Sequence, residues 1–395
     1  MKVISSYNPK SLIKWLFPSA LSMLASVCPG QDHQSTRKSS RTPVETIKRA
    51  HQSTESSRPA NAAHMAALSF RDAARVATLA TVKIKLRFDY TPIPLPDFYF
   101  EFFDQKFVGP YLPETQKDPT GSASGVLISS DGYVVTNYHV VNGADKIQIA
   151  LNDGLDYEAS VVGTDKAADL ALLKINGNDL PFIEFGNSDS AAVGDIVLIV
   201  GNPLAFTSTV TQGIISYKAR NIAQSTERWT LQSYIQTDGV VNIGNSGGAL
   251  VDLSGRLIGI VTAIASPNGV YAGYSFAIPV QVVKKTADDL RRYGYVRRGS
   301  FGIKVSEISP EKAKKLNIPF SVGIFIDSID TGGAADIGGL RTGDIITRID
   351  GRRMDSRAQL SEFVACSYPG QKVRITFFRN GKQQEIPITL QDGKL

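Results

Sequence analysis

Short β-branched segments separated by turn residues fill most of this 395-residue chain between positions 82 and 277. Strands at this spacing, with Gly, Asn and Asp between them, are typical of an all-β barrel or sandwich. Roughly 200 residues of this kind favour two barrels over one, so we predict a mainly β fold built on two barrels. The predicted strands are residues 125–129, 133–136, 146–151, 159–163, 170–175, 195–201, 213–218, 234–236, 249–253, 257–262 and 273–277.

The positive charge of the chain is confined to its N-terminus. The whole sequence carries a formal net charge of +6, and residues 1–60 alone hold nine Lys or Arg residues against three acidic residues. The rest of the chain therefore sums to zero. A charge excess restricted to a leader argues for export or surface association and against a basic groove in the folded part. We therefore expect no nucleic acid among the partners.

Residues 1–30 have the pattern of a signal peptide or a membrane anchor. Lys10 and Lys14 precede an apolar run, residues 15–27, that is too short to cross a bilayer unaided. A retained anchor that faces the periplasm, lipidation at Cys28 and a mitochondrial presequence are alternatives to a cleaved leader. We expect export to the periplasm or cell envelope, and we expect the polar residues 31–65 to form a disordered linker.

The cysteine content limits the cofactors that the chain could hold. Cys28 and Cys366 are the two cysteines of the sequence, and removal of a leader would take the first of them. Neither a disulfide framework nor a cysteine-rich metal site can be built from them. We therefore predict no metal and no cofactor.

A serine between glycines, in the segment Gly244-Asn245-Ser246-Gly247-Gly248, could present its hydroxyl beside several backbone N–H groups. Glycine adopts backbone angles that are closed to other residues, so such a loop can turn tightly around one point. This is the geometry of an oxyanion hole. The same residues also suit an ordinary turn between strands.

A serine hydroxyl becomes a good nucleophile when an imidazole takes its proton and an acid orients that imidazole. His139 is the candidate base, because the other three histidines fall in the predicted linker, at positions 33, 51 and 64. Asp169 is the preferred acid. It opens the apolar strand 170–173, where a partly buried carboxylate needs a partner. Other aspartates remain open as the acid, namely Asp153, Asp156, Asp165, Asp195 and Asp238.

His139, Asp169 and Ser246, in this order, resemble the triad of trypsin-like serine proteases, and the surrounding motifs resemble the HtrA/Deg family. Six motifs occur in the family's order between residues 121 and 248. They are Gly-Ser-Ala-Ser-Gly-Val at 121–126, Thr-Asn-Tyr-His-Val-Val at 136–141, Asp-Leu-Ala-Leu-Leu-Lys-Ile at 169–175, Phe-Gly-Asn-Ser at 185–188, Val-Gly-Asn-Pro at 200–203, and Gln-Thr-Asp at 236–238 leading to the Ser246 loop.

The resemblance implies a trypsin-like double β-barrel with the three residues between six-stranded barrels, and a homotrimer. It implies that the oxyanion hole lies along Gly244, Asn245 and Ser246, with the N–H groups of Gly244 and Ser246 as donors. It also implies a substrate pocket, and we expect small aliphatic side chains such as Val or Ala at the cleaved bond because no acidic residue stands there. The pocket residues implied are Ile214, Ile260, Val261 and Thr262.

Residues 298–395 resemble a single PDZ domain, through Gly-Gly-Leu-Arg-Thr-Gly-Asp-Ile-Ile at 338–346 and Ile-Asp-Gly at 349–351. In such domains an extended peptide adds to a sheet edge, and backbone N–H groups hold its C-terminal carboxylate. The resemblance places that loop at Ser300, Phe301, Gly302 and Ile303. A helix over 279–292, stopped by Gly294, should precede this domain. Asn380-Gly381 predicts a two-residue hairpin turn.

We therefore expect a leader at 1–30, a linker at 31–65, a trypsin-like domain at 66–297 and a PDZ domain at 298–395. The expected activity is ATP-independent serine endopeptidase action on misfolded or damaged envelope proteins. One alternative is a chaperone or peptide-binding scaffold with weak proteolysis. It is favoured by Gly239 and Ile243, which replace the family's usual Ala and Pro and leave the loop before Ser246 freer. Another is a regulatory protease that cuts one partner in envelope stress signalling.

Overall fold

The computed structural model describes residues 70–88, 100–102, 105–107, 120–203, 208–222, 231–242, 244–264, 273–308, 310–315, 318 and 322–393. The predicted leader and linker lie outside these residues. All described residues belong to one compact unit, Ala60–Leu395. Within the described part of the chain, no helix combines the length and apolar character needed to span a bilayer.

The first barrel is closed by six antiparallel strands in the order β1-β4-β5-β8-β7-β6. Helix α1 (Phe70–Ala80) leads into it, and a short hairpin of β2 (Phe100–Phe102) and β3 (Gln105–Phe107) lies between its first two strands. The barrel strands are β1 (Thr81–Arg87), β4 (Thr120–Leu127), β5 (Tyr133–Thr136), β6 (Lys146–Ala150), β7 (Asp156–Asp165) and β8 (Leu170–Ile175), with a one-turn helix α2 (Tyr138–Val141) after β5.

The second barrel is also closed, in the order β10-β11-β14-β13-β12-β9. Together the two barrels confirm the predicted mainly β double-barrel fold. The strands are β9 (Ile196–Gly201), β10 (Thr209–Arg220), β11 (Tyr234–Thr237), β12 (Ala249–Val251), β13 (Leu257–Ile264) and β14 (Ser275–Pro279). All their pairings are antiparallel.

Strand β8 packs against both barrels, one with each of its faces. Leu170 and Leu172 pack into a cluster that also contains residues of the second barrel, whereas Ala171 and Leu173 pack inside the first barrel. Because side chains alternate along a strand, a strand buried on both faces needs a continuous apolar sequence. The run Leu170–Ile175 is such a sequence, and its position fixes where the barrels meet.

Helix α3 (Val280–Tyr293) covers the shared core and leads out of the second barrel. Its C-cap is Gly294, in the left-handed conformation at φ 75°, where the N–H bonds to the Leu290 carbonyl. Glycine takes this conformation without the steric cost that other residues meet. The sequence prediction of a helix ending at Gly294 is thereby confirmed.

In the described residues of the C-terminal domain, a six-stranded antiparallel sheet is accompanied by a two-stranded sheet and three helices. The larger sheet runs β16-β17-β18-β20-β21, and β19 pairs with β18. The Asn380-Gly381 turn, with both φ angles positive, joins β20 to β21 as predicted. The elements are β15 (Gly299–Ser300), β16 (Ile303–Glu307), α4 (Pro310–Lys315), β17 (Ile324–Ile329), α5 (Ala334–Ile337), β18 (Ile345–Ile349), β19 (Arg352–Arg353), α6 (Arg357–Cys366), β20 (Lys372–Arg379), β21 (Lys382–Thr389) and β22 (Gln391–Asp392).

Buried ion pairs lie where α3 ends and the C-terminal domain begins. Lys285 bonds to Asp289 at 2.9 Å, and Arg298 pairs with Asp165 at the end of β7. These four side chains are at most 4% exposed. Burial lowers the pKa of Lys285, and the Asp289 carboxylate opposes that change. Charges held out of water in this way must keep their partners.

We predict that Arg298→Ala lowers the free energy of unfolding by about 3 to 5 kcal/mol, because Asp165 would remain as an unpaired buried charge. Urea-induced equilibrium unfolding of the full chain measures the change. The control is Arg256→Ala, which breaks a pair with Asp252 whose arginine side chain is 52% exposed. It should cost less than about 1 kcal/mol. Equal losses in the two variants would contradict the prediction.

Candidate active site

His139 lies in the short helix α2, where its ring faces the carboxylate of Asp169. The ring Nδ1 is 2.8 Å from Asp169 Oδ2 and 3.0 Å from Oδ1. The backbone N–H of His139 also donates to Oδ1, at 3.0 Å. A carboxylate on Nδ1 favours the tautomer that carries its proton there and leaves Nε2 free to accept a proton. The imidazole therefore has the orientation of a general base.

Asp169 is placed by a left-handed turn of the backbone. It ends the 3₁₀ turn Lys166–Ala168 at φ 53° and ψ 47°. Aspartate enters this region more readily than most residues. The Asn137 side-chain amide donates to the Asp169 carbonyl at 3.0 Å and holds the turn against the segment before His139. The expectation that Asp169 faces His139 thus agrees with the observed geometry.

Thr262 completes the hydrogen bonds of the carboxylate from the second barrel. Its hydroxyl donates to Asp169 Oδ2 at 2.6 Å. The family resemblance implies that Thr262 lines the substrate pocket, whereas in the structure its hydroxyl binds Asp169. A threonine in the middle of β13 gives no sequence signal of such a bond, because its partner is 93 residues away.

The Ser246 loop is a series of tight backbone turns. Gly244 and Gly247 have φ angles of 101° and 83°, in a region that favours glycine. The N–H of Gly248 donates to the Asn245 carbonyl at 2.8 Å, and the N–H of Gly247 donates to Val261 at 2.8 Å. Val261 precedes Thr262, so the loop is tied to the same strand that binds the Asp169 carboxylate.

A second tie joins the Ser246 loop to the first barrel. The N–H of Ser124 donates to the Ser246 carbonyl at 2.9 Å, and the Ser124 carbonyl accepts from the Thr136 hydroxyl at 2.8 Å. Thr136 lies three residues before His139. The loop therefore lies at the barrel interface, beside the ends of both strands that carry the His139–Asp169 pair. Among the described residues, no hydrogen bond joins the Ser246 hydroxyl to the His139 ring, and unliganded catalytic hydrogen bonds are often long.

Some backbone N–H groups of the Ser246 loop form hydrogen bonds within the loop, and others do not. The Asn245 N–H donates to Asn242 at 3.0 Å, so it is engaged in the turn. Its inclusion in the expected oxyanion hole is therefore corrected. No bond within the described part of the chain uses the N–H of Gly244 or Ser246. These are the two donors that the family resemblance implies.

The expected pocket residues occupy different environments. Ile260 and Val261 are buried in the core, at 0% and 1% exposure, so their side chains do not line an open pocket. This corrects their assignment. Successive side chains of a strand point to opposite faces, and Ile260 packs into the cluster shared by the two barrels while Val261 packs inside the second barrel. Ile214 is 39% exposed on β10, and its N–H donates to Asp238 Oδ1 at 2.7 Å. Of the four residues, Ile214 is the one whose side chain reaches the surface.

The packing around position 239 explains why a glycine suits it. A Cβ at this position would lie 2.6 Å from Ile199 Cδ1, in the interior of the second barrel. The alanine that is usual in the family would therefore require Ile199 to shift. The absence of a side chain at Gly239 thus leaves room for Ile199 in the interior of the second barrel.

Tyr234 is a buried neighbour of the site that the sequence analysis missed. Its hydroxyl donates to the Leu231 carbonyl at 3.2 Å. Burial raises the pKa of Tyr234 well above its usual value, and the charge of Asp169 adds to the increase. The phenol therefore stays neutral and adds no second charge beside the Asp169 carboxylate.

The loop predicted to bind peptide termini joins β15 to β16. Phe301 is buried and its ring centroid lies 6.3 Å from that of Phe363 on α6. Gly302 has a φ of 69°, and its N–H donates to the Ser300 hydroxyl at 3.2 Å. Ile303 begins the edge strand β16. The four expected residues therefore lie at the start of the edge strand β16, where Phe301 contacts α6.

No group of three or more His, Cys, Asp or Glu side chains within the described ranges could hold a metal ion.

Family models match both folded parts of the chain. A trypsin-like peptidase domain matches residues 123–260, and a PDZ domain matches residues 299–390. The chain is 40% identical over 301 residues to a probable periplasmic serine protease do/HhoA-like of Haemophilus influenzae, and 42% identical over 289 residues to the periplasmic pH-dependent serine endoprotease DegQ of Escherichia coli. These matches cover 75% and 72% of this chain.

The same matches cover 64% and 63% of the two relatives, so the chain spans less than two thirds of their length. Among solved structures, the HtrA-type protease AlgW with a decapeptide is similar at a TM-score of 0.61 and 37% identity. That match covers 83% of this chain and 99% of the AlgW chain. The similarity thus extends over both the barrels and the C-terminal domain.

The two barrels approach each other closely at Gly247, whose φ is 83°. A Cβ added there would overlap the Ser124 carbonyl and the Thr136 hydroxyl of the first barrel. We predict that Gly247→Ala lowers the free energy of unfolding by about 3 kcal/mol or more, the sum of overpacking and backbone strain. Gly143→Ala is the matched control, because its φ is 79° and nothing lies within 4 Å. It should lose about 1 to 2 kcal/mol. Similar losses would show that the close approach is absent.

Proposed function

We propose that this chain, which belongs to the HtrA/Deg family of trypsin-like serine proteases, is an ATP-independent serine endopeptidase that degrades misfolded or damaged envelope proteins. One observation carries the proposal. The His139 ring binds the Asp169 carboxylate at 2.8 Å in the first barrel, and the Ser246 loop is hydrogen-bonded to the strand that supplies Thr262 to the same carboxylate. An imidazole, a carboxylate and the loop of Ser246 therefore lie at one interface, and this supports the proposed roles of base, acid and nucleophile.

The proposed reaction follows from these positions. Nε2 of His139 takes the proton of the Ser246 hydroxyl as its oxygen attacks the peptide carbonyl carbon. The carbonyl π bond opens, and the N–H groups of Gly244 and Ser246 hold the resulting oxyanion. When the oxyanion collapses, the C–N bond breaks and His139 gives its proton to the leaving amine. Water then hydrolyses the acyl-enzyme by the same transfers. Asp169 stays ionised and stabilises the imidazolium.

The partners that we propose are unfolded protein segments at the barrels and peptide C-termini at the PDZ domain. The loop from Ser300 to Ile303 would receive the terminal carboxylate, and the apolar side chains between β16 and α6 would receive the last side chain. A small aliphatic residue at the cleaved bond and a homotrimer follow from the family. Periplasmic location is supported by the names of the relatives and by the predicted leader.

The rival activities share the fold and differ in turnover. A chaperone would bind the same unfolded segments without cutting them, and the replacement of Ala and Pro by Gly239 and Ile243 favours it. A regulatory protease would cut one partner and spare casein. The hydrogen bonds on Asp169 favour an enzyme, because a binding scaffold has no need of an oriented imidazole.

Casein digestion by the full chain tests the proposal. We predict digestion by the wild type and none above background by Ser246→Ala. Asp169→Asn should lower kcat by about 10⁴-fold, because the imidazole would take the wrong tautomer. The control is Asp252→Asn, whose carboxylate caps a surface turn through the N–H groups of Ser254 and Arg256. It should stay within about twofold of the wild type, because it lies outside the site.

Other outcomes identify the rivals. Folded wild type that leaves casein intact but suppresses aggregation of an unfolded protein as well as Ser246→Ala does would identify a chaperone. Casein left intact beside a single cut in one envelope protein would identify the regulatory protease. Equal digestion by the wild type and Ser246→Ala would remove Ser246 from the reaction.

The PDZ proposal has its own test, made on the inactive Ser246→Ala chain so that peptides survive. A fluorescent peptide ending in a free carboxylate after an apolar residue should bind about 10- to 100-fold more tightly than its C-terminal amide, because charge-assisted hydrogen bonds to backbone N–H groups are lost in the amide. Fluorescence anisotropy measures both dissociation constants. A third peptide that ends in Asp controls for the apolar side chain, and equal affinities of acid and amide would exclude carboxylate recognition.

A further inference from the structure

Ser124 is a fully buried serine of β4 whose polar groups all reach across the barrel interface or to the next strand. It has 0% exposure. Its hydroxyl donates to the Gly244 carbonyl at 2.7 Å and accepts from the Asn202 N–H at 2.8 Å. Its backbone N–H donates to the Ser246 carbonyl at 2.9 Å, and its carbonyl accepts from Thr136 at 2.8 Å.

Two of these bonds hold the carbonyls on either side of Asn245. Gly244 and Ser246 are also the residues whose N–H groups are the proposed oxyanion donors. The carbonyl of a residue shares a peptide plane with the N–H of the next residue, whereas its own N–H belongs to the preceding plane. Fixing the carbonyls of Gly244 and Ser246 therefore anchors one side of each α-carbon, so that the N–H of the same residue can turn only through its φ angle. Ser124 thus acts on both donor residues from one position in the opposite barrel.

Gly244 makes such a restraint necessary. Its φ of 101° lies in a region that glycine enters freely, and glycine occupies many other regions at similar energy. Gly239, five residues earlier in the same loop, has no side chain that restricts its backbone. The side-chain hydrogen bond to the Gly244 carbonyl comes from Ser124 alone among the described residues.

A packing role alone does not account for these contacts. Alanine would fill the same place in β4, as it does at the preceding residue, Ala123, which is 6% exposed in the first barrel. A buried hydroxyl carries a desolvation cost that hydrogen bonds must offset. The hydroxyl of Ser124 meets that cost through the Gly244 loop and the end of β9, both in the second barrel.

We propose that Ser124 is a positioning residue for the oxyanion hole, and that its hydroxyl selects the Gly244 conformer in which the N–H groups of Gly244 and Ser246 converge on the substrate oxygen. The proposal rests on the proposed peptidase function. It does not involve contact between Ser124 and the substrate. Its effect belongs to the tetrahedral intermediate and the transition states beside it, because the bound substrate carries no oxyanion.

The test compares Ser124→Ala with the wild type on a chromogenic peptide and on a peptide aldehyde, whose hemiacetal carries an oxyanion. Both measurements use the full chain. We expect kcat to fall about 10- to 100-fold and the affinity for the aldehyde to fall by a similar factor, somewhat less than the loss of one whole donor. The KM of Ser124→Ala should stay within about twofold of the wild-type KM, since ground-state binding is unaffected. For the same reason, adding Ser124→Ala to the inactive Ser246→Ala chain should change its affinity for the substrate peptide by no more than about twofold.

Ser129→Ala is the matched control. Ser129 lies at the end of the same β4–β5 hairpin, where its hydroxyl accepts from the Tyr133 N–H at 3.1 Å, away from the Ser246 loop. It should lose some stability and keep kcat. Ser124→Cys fills the space with a weaker donor and should have intermediate kcat. Ser124→Cys also keeps the test possible if Ser124→Ala does not fold. The rate of each variant is expressed per active molecule, counted by titration with a fluorophosphonate.

Two results would overturn the proposal. One is a folded Ser124→Ala chain with wild-type kcat. The other is an equal loss of substrate-peptide affinity and aldehyde affinity, which would mean that the whole site is distorted. Failure of the peptidase function itself has a different signature, because the wild-type chain would then be inert to both peptide and fluorophosphonate.

Discussion

The Asp169 carboxylate receives hydrogen bonds from both barrels, and the arrangement of the site depends on it. His139 binds it through the ring and the backbone, within the first barrel. Thr262 binds it from β13 of the second barrel at 2.6 Å. A partly buried carboxylate is costly without such partners. One set of bonds therefore joins the two barrels at this point and orients the imidazole.

Backbone contacts extend this arrangement to the Ser246 loop and to the C-terminal domain. Gly247 approaches the Ser124 carbonyl so closely that no side chain fits. A second segment, Leu231 and Gln232, reaches the C-terminal domain. The Leu231 N–H donates to the Ala167 carbonyl at 2.8 Å, and the Gln232 N–H donates to the hydroxyl of Ser361 on α6 at 3.0 Å. The turn that carries Asp169 and the PDZ helix α6 thus share one short connecting segment.

The sequence predicts the fold well because its signals are local. Strand spacing, the glycine after α3 and the Asn380-Gly381 turn each encode structure over a few residues, and the double barrel follows. The His139–Asp169 contact could be anticipated because one folded histidine needed an acid. Thr262 and Ser124 could not, because their partners lie 93 and 120 residues away and both side chains also suit ordinary strands. The engagement of the Asn245 N–H with the Asn242 carbonyl could not be predicted for a similar reason, since it is a property of the folded turn.

We propose that the Ser246 hydroxyl, the His139 ring and the N–H groups of Gly244 and Ser246 converge on one reacting carbon. A crystal structure of the full chain after reaction with a fluorophosphonate would show whether they do. We expect phosphorus bonded to Ser246 Oγ, with the phosphonyl oxygen about 3 Å from the N atoms of Gly244 and Ser246. Nε2 of His139 should lie within hydrogen-bond distance of Ser246 Oγ. Phosphorus on another residue, or a phosphonyl oxygen that points away from both N–H groups, would contradict it.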